Sequence, residues 1–162
     1  MSLSYSLELA TPLSVDEVAQ NLGEAARSLR LFDASVTTEL LVGDGAVTAY
    51  GTSTYVTPMT PIPWGDPLIG GRTFSPTVSV SFDLGKDGDI IGQQDDMTRL
   101  TTELLARTPG DAVLHFQSED VWLVRLDGEL SLNERSEVWP PHRLAMVPGP
   151  YRRQTFEFTE QD

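Results

Sequence analysis

The chain has no cysteine among its 162 residues. Disulfides, thiol nucleophiles and cysteine-ligated zinc are therefore excluded together. Histidine is nearly as scarce. His115 and His142 are the only two, and neither has a second histidine two to four positions away, the spacing at which one element could offer a pair to a metal ion. Basic residues number 11 against 24 acidic ones, giving a formal net charge of −13, and Lys86 is the only lysine. Affinity for phosphate comes from lysine and arginine neutralising it, so nucleic acid and anionic membranes are poor partners for this chain. No apolar run approaches the ~20 residues of a membrane helix. Met1-Ser2-Leu3-Ser4 has neither the basic nor the apolar segment of a secretory signal. The expectation is a cytoplasmic protein without a cofactor.

Catalytic motifs are missing too. There is no G-x-x-x-x-G-K-[ST] and no G-x-S-x-G, and Gly43-x-Gly45 is too short to cradle a phosphate. Asp83-x-x-x-Asp87-x-Asp89 lacks the ligand order of a calcium loop. Paired carboxylates are frequent, as at Asp95-Asp96 and Glu119-Asp120, but a chain this acidic produces them by chance.

What is present is the composition of a globular domain, 40% hydrophobic and 22% charged, expected to form a single unit over residues 1–162. Leu3, Tyr5, Leu7 and Leu9 alternate with Ser4, Ser6 and Glu8, a half-buried strand. Ser14 and Glu17 form a capping box that opens a helix over about 15–30, whose apolar stripe runs through Val18, Ala19, Leu22, Ala25 and Ala26. Residues 38–42 and 46–56 read as a hairpin about Gly43-Asp44-Gly45. Four prolines and three glycines over 57–71 predict a long loop without regular structure, laying Trp64 over a core edge. Val78–Leu84 alternates like the first strand. A second helix is expected to begin at Asp95-Asp96, where acids favour the positive end of the helix dipole, and to stop at Thr108-Pro109-Gly110. Two further strands, 112–117 and 121–126, are joined around Ser118-Glu119-Asp120, and Thr155-Phe156-Glu157-Phe158 reads as a last edge strand.

The two halves follow the same order. Ser4-Tyr5-Ser6-Leu7-Glu8-Leu9 parallels Ser79-Val80-Ser81-Phe82-Asp83-Leu84 at an offset of 75. This suggests a duplicated β-α-β-β unit over 3–56 and 77–132. The fold class expected is α+β, a two-layer domain with a mostly antiparallel sheet and two helices on one face. Tyr5, Leu7, Leu9, Val80, Phe82, Leu84, Leu114, Phe116, Trp122, Val124 and Leu126 would lie under the helices. The other face would carry Glu8, Asp83, His115, Gln117 and Arg125 with several serines, either simply solvated or a binding surface.

Several stretches resemble a known family. They are 31–37 (Leu-Phe-Asp-Ala-Ser-Val-Thr), Gln93-Gln94-Asp95-Asp96-Met97, 110–116 (Gly-Asp-Ala-Val-Leu-His-Phe), Val121-Trp122-Leu123-Val124-Arg125, Gly128-Glu129-Leu130, and Trp139-Pro140-Pro141 with Tyr151-Arg152-Arg153. Together they are similar to the SitI3-like bacterial immunity proteins, from about Ser4 to Phe158 and most weakly over 57–71. The resemblance implies a non-enzymatic antitoxin that binds and blocks one cognate protein toxin. It brings no residue roles with it.

From the residues themselves, the surface candidates for partner binding are Glu8, Asp83, Asp95, Asp96, His115, Gln117, Glu119, Asp120 and Arg125. An acidic surface of this kind suits a basic partner and speeds encounter with it. Two other readings stand beside this one. The first is a small-molecule site or enzyme in which His115, Arg125 and Asp83 converge. The second is a homodimer through the edge strand near 155–158.

Overall fold

The computed structural model describes residues 3–60 and 67–159. Trp64 and its neighbours in the Pro-rich stretch therefore lie outside the described residues. In chain order the elements are β1 (Leu3–Ala10), α1 (Val15–Ser28), α2 (Thr38–Val42), β2 (Ala46–Val47), β3 (Ser53–Pro58), β4 (Leu68–Ile69), β5 (Arg72–Thr73), β6 (Val78–Leu84), α3 (Ile90–Arg107), β7 (Asp111–Phe116), β8 (Asp120–Leu126), β9 (Glu129–Leu132), α4 (Pro141–Leu144), β10 (Arg152–Arg153) and β11 (Phe158–Thr159). The fold is α+β. Eight strands form one sheet in the order β10-β9-β8-β7-β1-β6-β3-β2, antiparallel except for the β10–β9 pair. β11, β4 and β5 form a second, small sheet.

β1 and β6, the strands that echo each other in sequence, are neighbours at the middle of the large sheet, with Tyr5 opposite Phe82 and Leu7 opposite Val80. Each half then sends one strand of its hairpin to the flank of this central pair. β3, the second strand of its hairpin, lies beside β6, whereas β7, the first strand of its own, lies beside β1.

α1 begins where the capping box places it. The Ser14 hydroxyl accepts from the Glu17 N–H, and the Glu17 carboxylate accepts from the Ser14 N–H. Its buried stripe joins Met97, Leu100 and Leu104 of α3 in one core with Tyr5, Leu7, Leu9, Val80, Phe82 and Leu84. α1 packs on α2, α3 and β3, and α3 packs on β6.

Four expectations are corrected. Residues 38–42 are helical and form no strand. Thr37 caps them by accepting from the Leu40 N–H, and the consecutive Leu40-Leu41-Val42 has no period of two to support a strand. The hairpin is β2–β3, turning at Thr48–Thr52, where Thr48 N–H donates to the Thr52 carbonyl. Second, α3 starts at Ile90. Asp89 caps it by accepting from the Gly92 N–H, which leaves Asp95 and Asp96 in the second turn. Third, the stretch 57–71 is not wholly irregular. Leu68–Ile69 and Arg72–Thr73 pair across Gly70-Gly71, both at positive φ as such a turn requires.

The fourth correction comes from a β-bulge. Leu114 is opposite Leu123 but His115 is opposite Val121, so Trp122 is the extra residue. A bulge puts two successive side chains on one face and resets the alternation beyond it. Trp122 and Leu123 thus both enter the helix-side core. Val121 and Val124 instead face the other way, with Leu126 packed beside them, against Ile69, Phe74, Phe156 and Phe158 of the small sheet and its flanks. By the same reset Arg125 is not on the polar sheet face. Its guanidinium reaches the C-terminal end of α3, where Nη1 donates to the Leu105 carbonyl at 2.8 Å and Nη2 to that of Thr108 at 2.5 Å.

Candidate functional site

The face of the large sheet away from α1 and α3 divides in two. Over β7 and β8 it is covered by the small sheet. Over β1, β6 and β3 it presents rows of mostly small polar side chains. Registration places Ser4, Asp83, Ser53 and Val47 in one row, Ser6, Ser81 and Tyr55 in the next, and Glu8, Ser79 and Thr57 in the third. Apart from Ser79, which is buried, and Val47, which is exposed, these residues are half-buried.

His115 lies at the boundary between the two halves, 4% exposed, with the Phe158 ring edge-on at 5.2 Å. The Ser118 N–H donates to its Nδ1 at 2.9 Å, which puts the ring proton on Nε2 in the neutral form. Nε2 stands 3.4 Å from Glu8 Oε1 without a hydrogen-bonding alignment. With Nδ1 occupied and Nε2 carrying the proton, this imidazole is not placed to accept a proton from a ligand. Beside it is a cavity of 260 Å³, lined mainly by Met59, Pro67, Pro76 and Phe158, with Glu8 supplying a carboxylate.

The structure does not bring His115, Arg125 and Asp83 together. Asp83 is opposite Ser4 and His115 opposite Ser6, on strands separated by β1, while Arg125 serves the end of α3. Burial lowers the pKa of Arg125 from its ordinary value, and three backbone carbonyls, those of Leu105, Thr108 and Gly110, hold its charge.

The remaining predicted residues separate into engaged and free groups. Asp95 accepts from Nε of the buried Arg143 at 2.8 Å and meets His142 Nε2 at 3.1 Å. Arg143 also donates to the Val138 carbonyl and the Gln94 side chain, and its guanidinium carbon lies 5.3 Å from the Trp122 ring centre. Gln94 in turn donates to the Tyr5 hydroxyl, whose pKa burial raises. Trp139 Nε1 donates to the Trp122 carbonyl at 2.9 Å. This network fixes the segment 138–147 against α3 and β8. Asp96 is 2% exposed, 3.9 Å from Arg99, with Oδ2 lacking a hydrogen bond, and burial pushes its pKa up. Asp120 pairs with Arg135 at 3.0 Å. Gln117 and Glu119 are exposed in the β7–β8 turn, with Gln117 and Ser118 both at positive φ.

Sequence reasoning passed over one surface. Val47, Tyr50 and Ile91 are the exposed large hydrophobic residues among those described, at 61%, 54% and 60%. They belong to the β2–β3 hairpin and the first turn of α3. The available signal was Val47 itself, an apolar residue in the phase where its strand faces solvent. The hairpin assigned to 38–56 concealed it.

Among the described residues, no helix is long and apolar enough to cross a membrane, and no group of three or more histidine, aspartate or glutamate side chains is placed to hold a metal ion. No curated protein and no solved structure gives a significant match to the chain. A model of the family described as SitI3-like matches residues 3–143.

Proposed function

The chain belongs to the SitI3-like family, and from that premise we propose that it is an immunity protein, a cytoplasmic, non-enzymatic antitoxin that binds one cognate bacterial toxin and blocks it by covering its working surface. The observation that carries this reading is the family match over residues 3–143. The charge supports it. At −13 the chain presents a field that favours encounter with a basic protein face and disfavours nucleic acid. The half-buried Asp83 and the exposed Gln117 and Glu119 remain candidates for contact. Asp95 and Asp120 already have arginine partners within the chain, so a toxin would have to compete for them.

The test uses the product of any toxin gene that adjoins this one. Co-expression with this chain is expected to restore growth, and the two purified polypeptides to elute together as one complex in size-exclusion chromatography. Absence of both rescue and complex would remove the proposal.

A further inference from the structure

The exposed large apolar side chains among the described residues are gathered on two elements that are locked to each other. The Thr52 hydroxyl donates to Gln93 Oε1 at 3.0 Å, and the same Gln93 amide bonds both the N–H and the carbonyl of Gly85 at 2.8 Å. Gln93 is fully buried. The hairpin backbone closes on the turn before α3 so tightly that a Cβ on Gly88 would stand 3.2 Å from the Tyr50 carbonyl oxygen, and one on Gly85 3.1 Å from that of Gly51. The hairpin tip and the start of α3 therefore make one preorganised platform. It carries Val47, Tyr50 and Ile91, each more than half exposed. A rigid platform with an exposed aromatic loses little conformational entropy when it is covered.

Its rim is acidic. Asp44 leads into β2, Asp83 shares a row with Val47, and Asp87 and Asp89 lie in the turn before Ile90. None of these four is in an ion pair among the described residues, and the one base in that turn is Lys86. Val47 also lines a groove of 350 Å³ against the end of α1 that carries Arg27 and Arg30, and this groove bounds the acidic area on that side. A second copy of this chain suits the platform poorly, because a two-fold contact sets like carboxylates against each other.

We propose that this platform is the docking surface for the toxin, and that the toxin face it fits is an apolar patch flanked by lysine or arginine. This rests on the immunity reading and names the surface through which it acts. Tyr50 and Ile91 supply the buried centre, and the unpaired carboxylates supply rate and orientation.

The probe is the purified toxin product that the growth-rescue test identifies. Tyr50→Ser/Ile91→Ser is expected to raise Kd by roughly 30-fold or more, the scale of hot-spot residues. Asp87→Asn/Asp89→Asn keeps a capping side chain at 89 and is expected to slow association by about tenfold at low salt with little change in dissociation. Glu129→Gln, at the β8–β9 turn, leaves both rates unchanged. The thermal midpoint of each variant is measured first, and all are expected to match wild type. Wild-type binding with the platform variants binding equally well overturns this inference and leaves the immunity reading standing. Failure of the wild-type chain to bind overturns both. Concentration-dependent self-association that Tyr50→Ser abolishes would assign the platform to a second copy and overturn it.

Discussion

The two sides of the sheet use the same residue type in opposite ways. The C-terminal side holds four carboxylate–arginine pairs: Asp127 with Arg72 at 2.7 Å, Asp120 with Arg135 at 3.0 Å, Glu129 with Arg152 at 3.3 Å, and Asp95 with Arg143 at 2.8 Å. On the hairpin side Asp44, Asp83, Asp87 and Asp89 stand without one among the described residues. The acid excess is spread over both halves of the sequence, at −5 over 1–75 and −8 over 76–138. The arginines that decide which acids are free come mostly from beyond residue 124. Net charge therefore says little about where a partner docks, and the placement of the few bases says more.

The pairs on the C-terminal side are themselves unequal. Exposed ion pairs contribute little, whereas removing one member of a buried pair leaves an uncompensated charge. The largest effect is thus expected from Arg143→Met, which leaves Asp95 with only the exposed His142 and frees the Val138 carbonyl. Chemical denaturation should show a loss of about 3–5 kcal/mol, and adding Asp95→Leu should recover part of it. Arg125→Ala removes three bonds to the carbonyls that close α3 and is expected to cost about 2–3 kcal/mol, the scale of hydrogen bonds to a charged group.

A smaller effect of opposite sign is expected at Asp96. Burial raises its folded pKa above the ordinary carboxylate value. Its contribution to stability is full below the unfolded value and is lost as the pH rises through the raised folded value. At neutral pH the buried charge is a penalty, so Asp96→Asn is expected to stabilise by about 1 kcal/mol, at the low end for an unpaired buried polar group. It should also flatten the acid side of the stability profile. A destabilised Asp96→Asn at neutral pH would mean that the Arg99 contact outweighs burial. The smallest effects are expected from Asp127→Asn and Asp87→Asn, each within about 0.5 kcal/mol of wild type by thermal unfolding. One residue is paired and the other unpaired, and toxin binding should tell them apart where stability does not.

Much of this fold was legible in the sequence, and the reasons are local. The alternation of Leu3–Leu9 and Val78–Leu84 fixed which side chains entered the core, and Ser14 with Glu17 fixed where α1 began. Non-local features escaped. The bulge at Trp122 has no signature in single-strand alternation, yet it moved Val124 and Leu126 to the other face and sent Arg125 to the end of α3. Asp89 was overlooked as a cap because the doubled Asp95-Asp96 offered a more obvious one. Thr37 went unread as a cap before the apolar run 40–42. Of the candidate contacts, Asp83 was placed on the polar sheet face by its strand phase. Val47, Tyr50 and Ile91 were not, because exposure at the meeting of two turns depends on tertiary contacts through Gln93.

Hydrogen–deuterium exchange of the complex with the toxin product tests the account most directly. Slowed exchange over residues 46–53 and 83–92, with 127–136 and 152–153 unchanged, is what the account predicts. Protection confined to the arginine-paired side would contradict it.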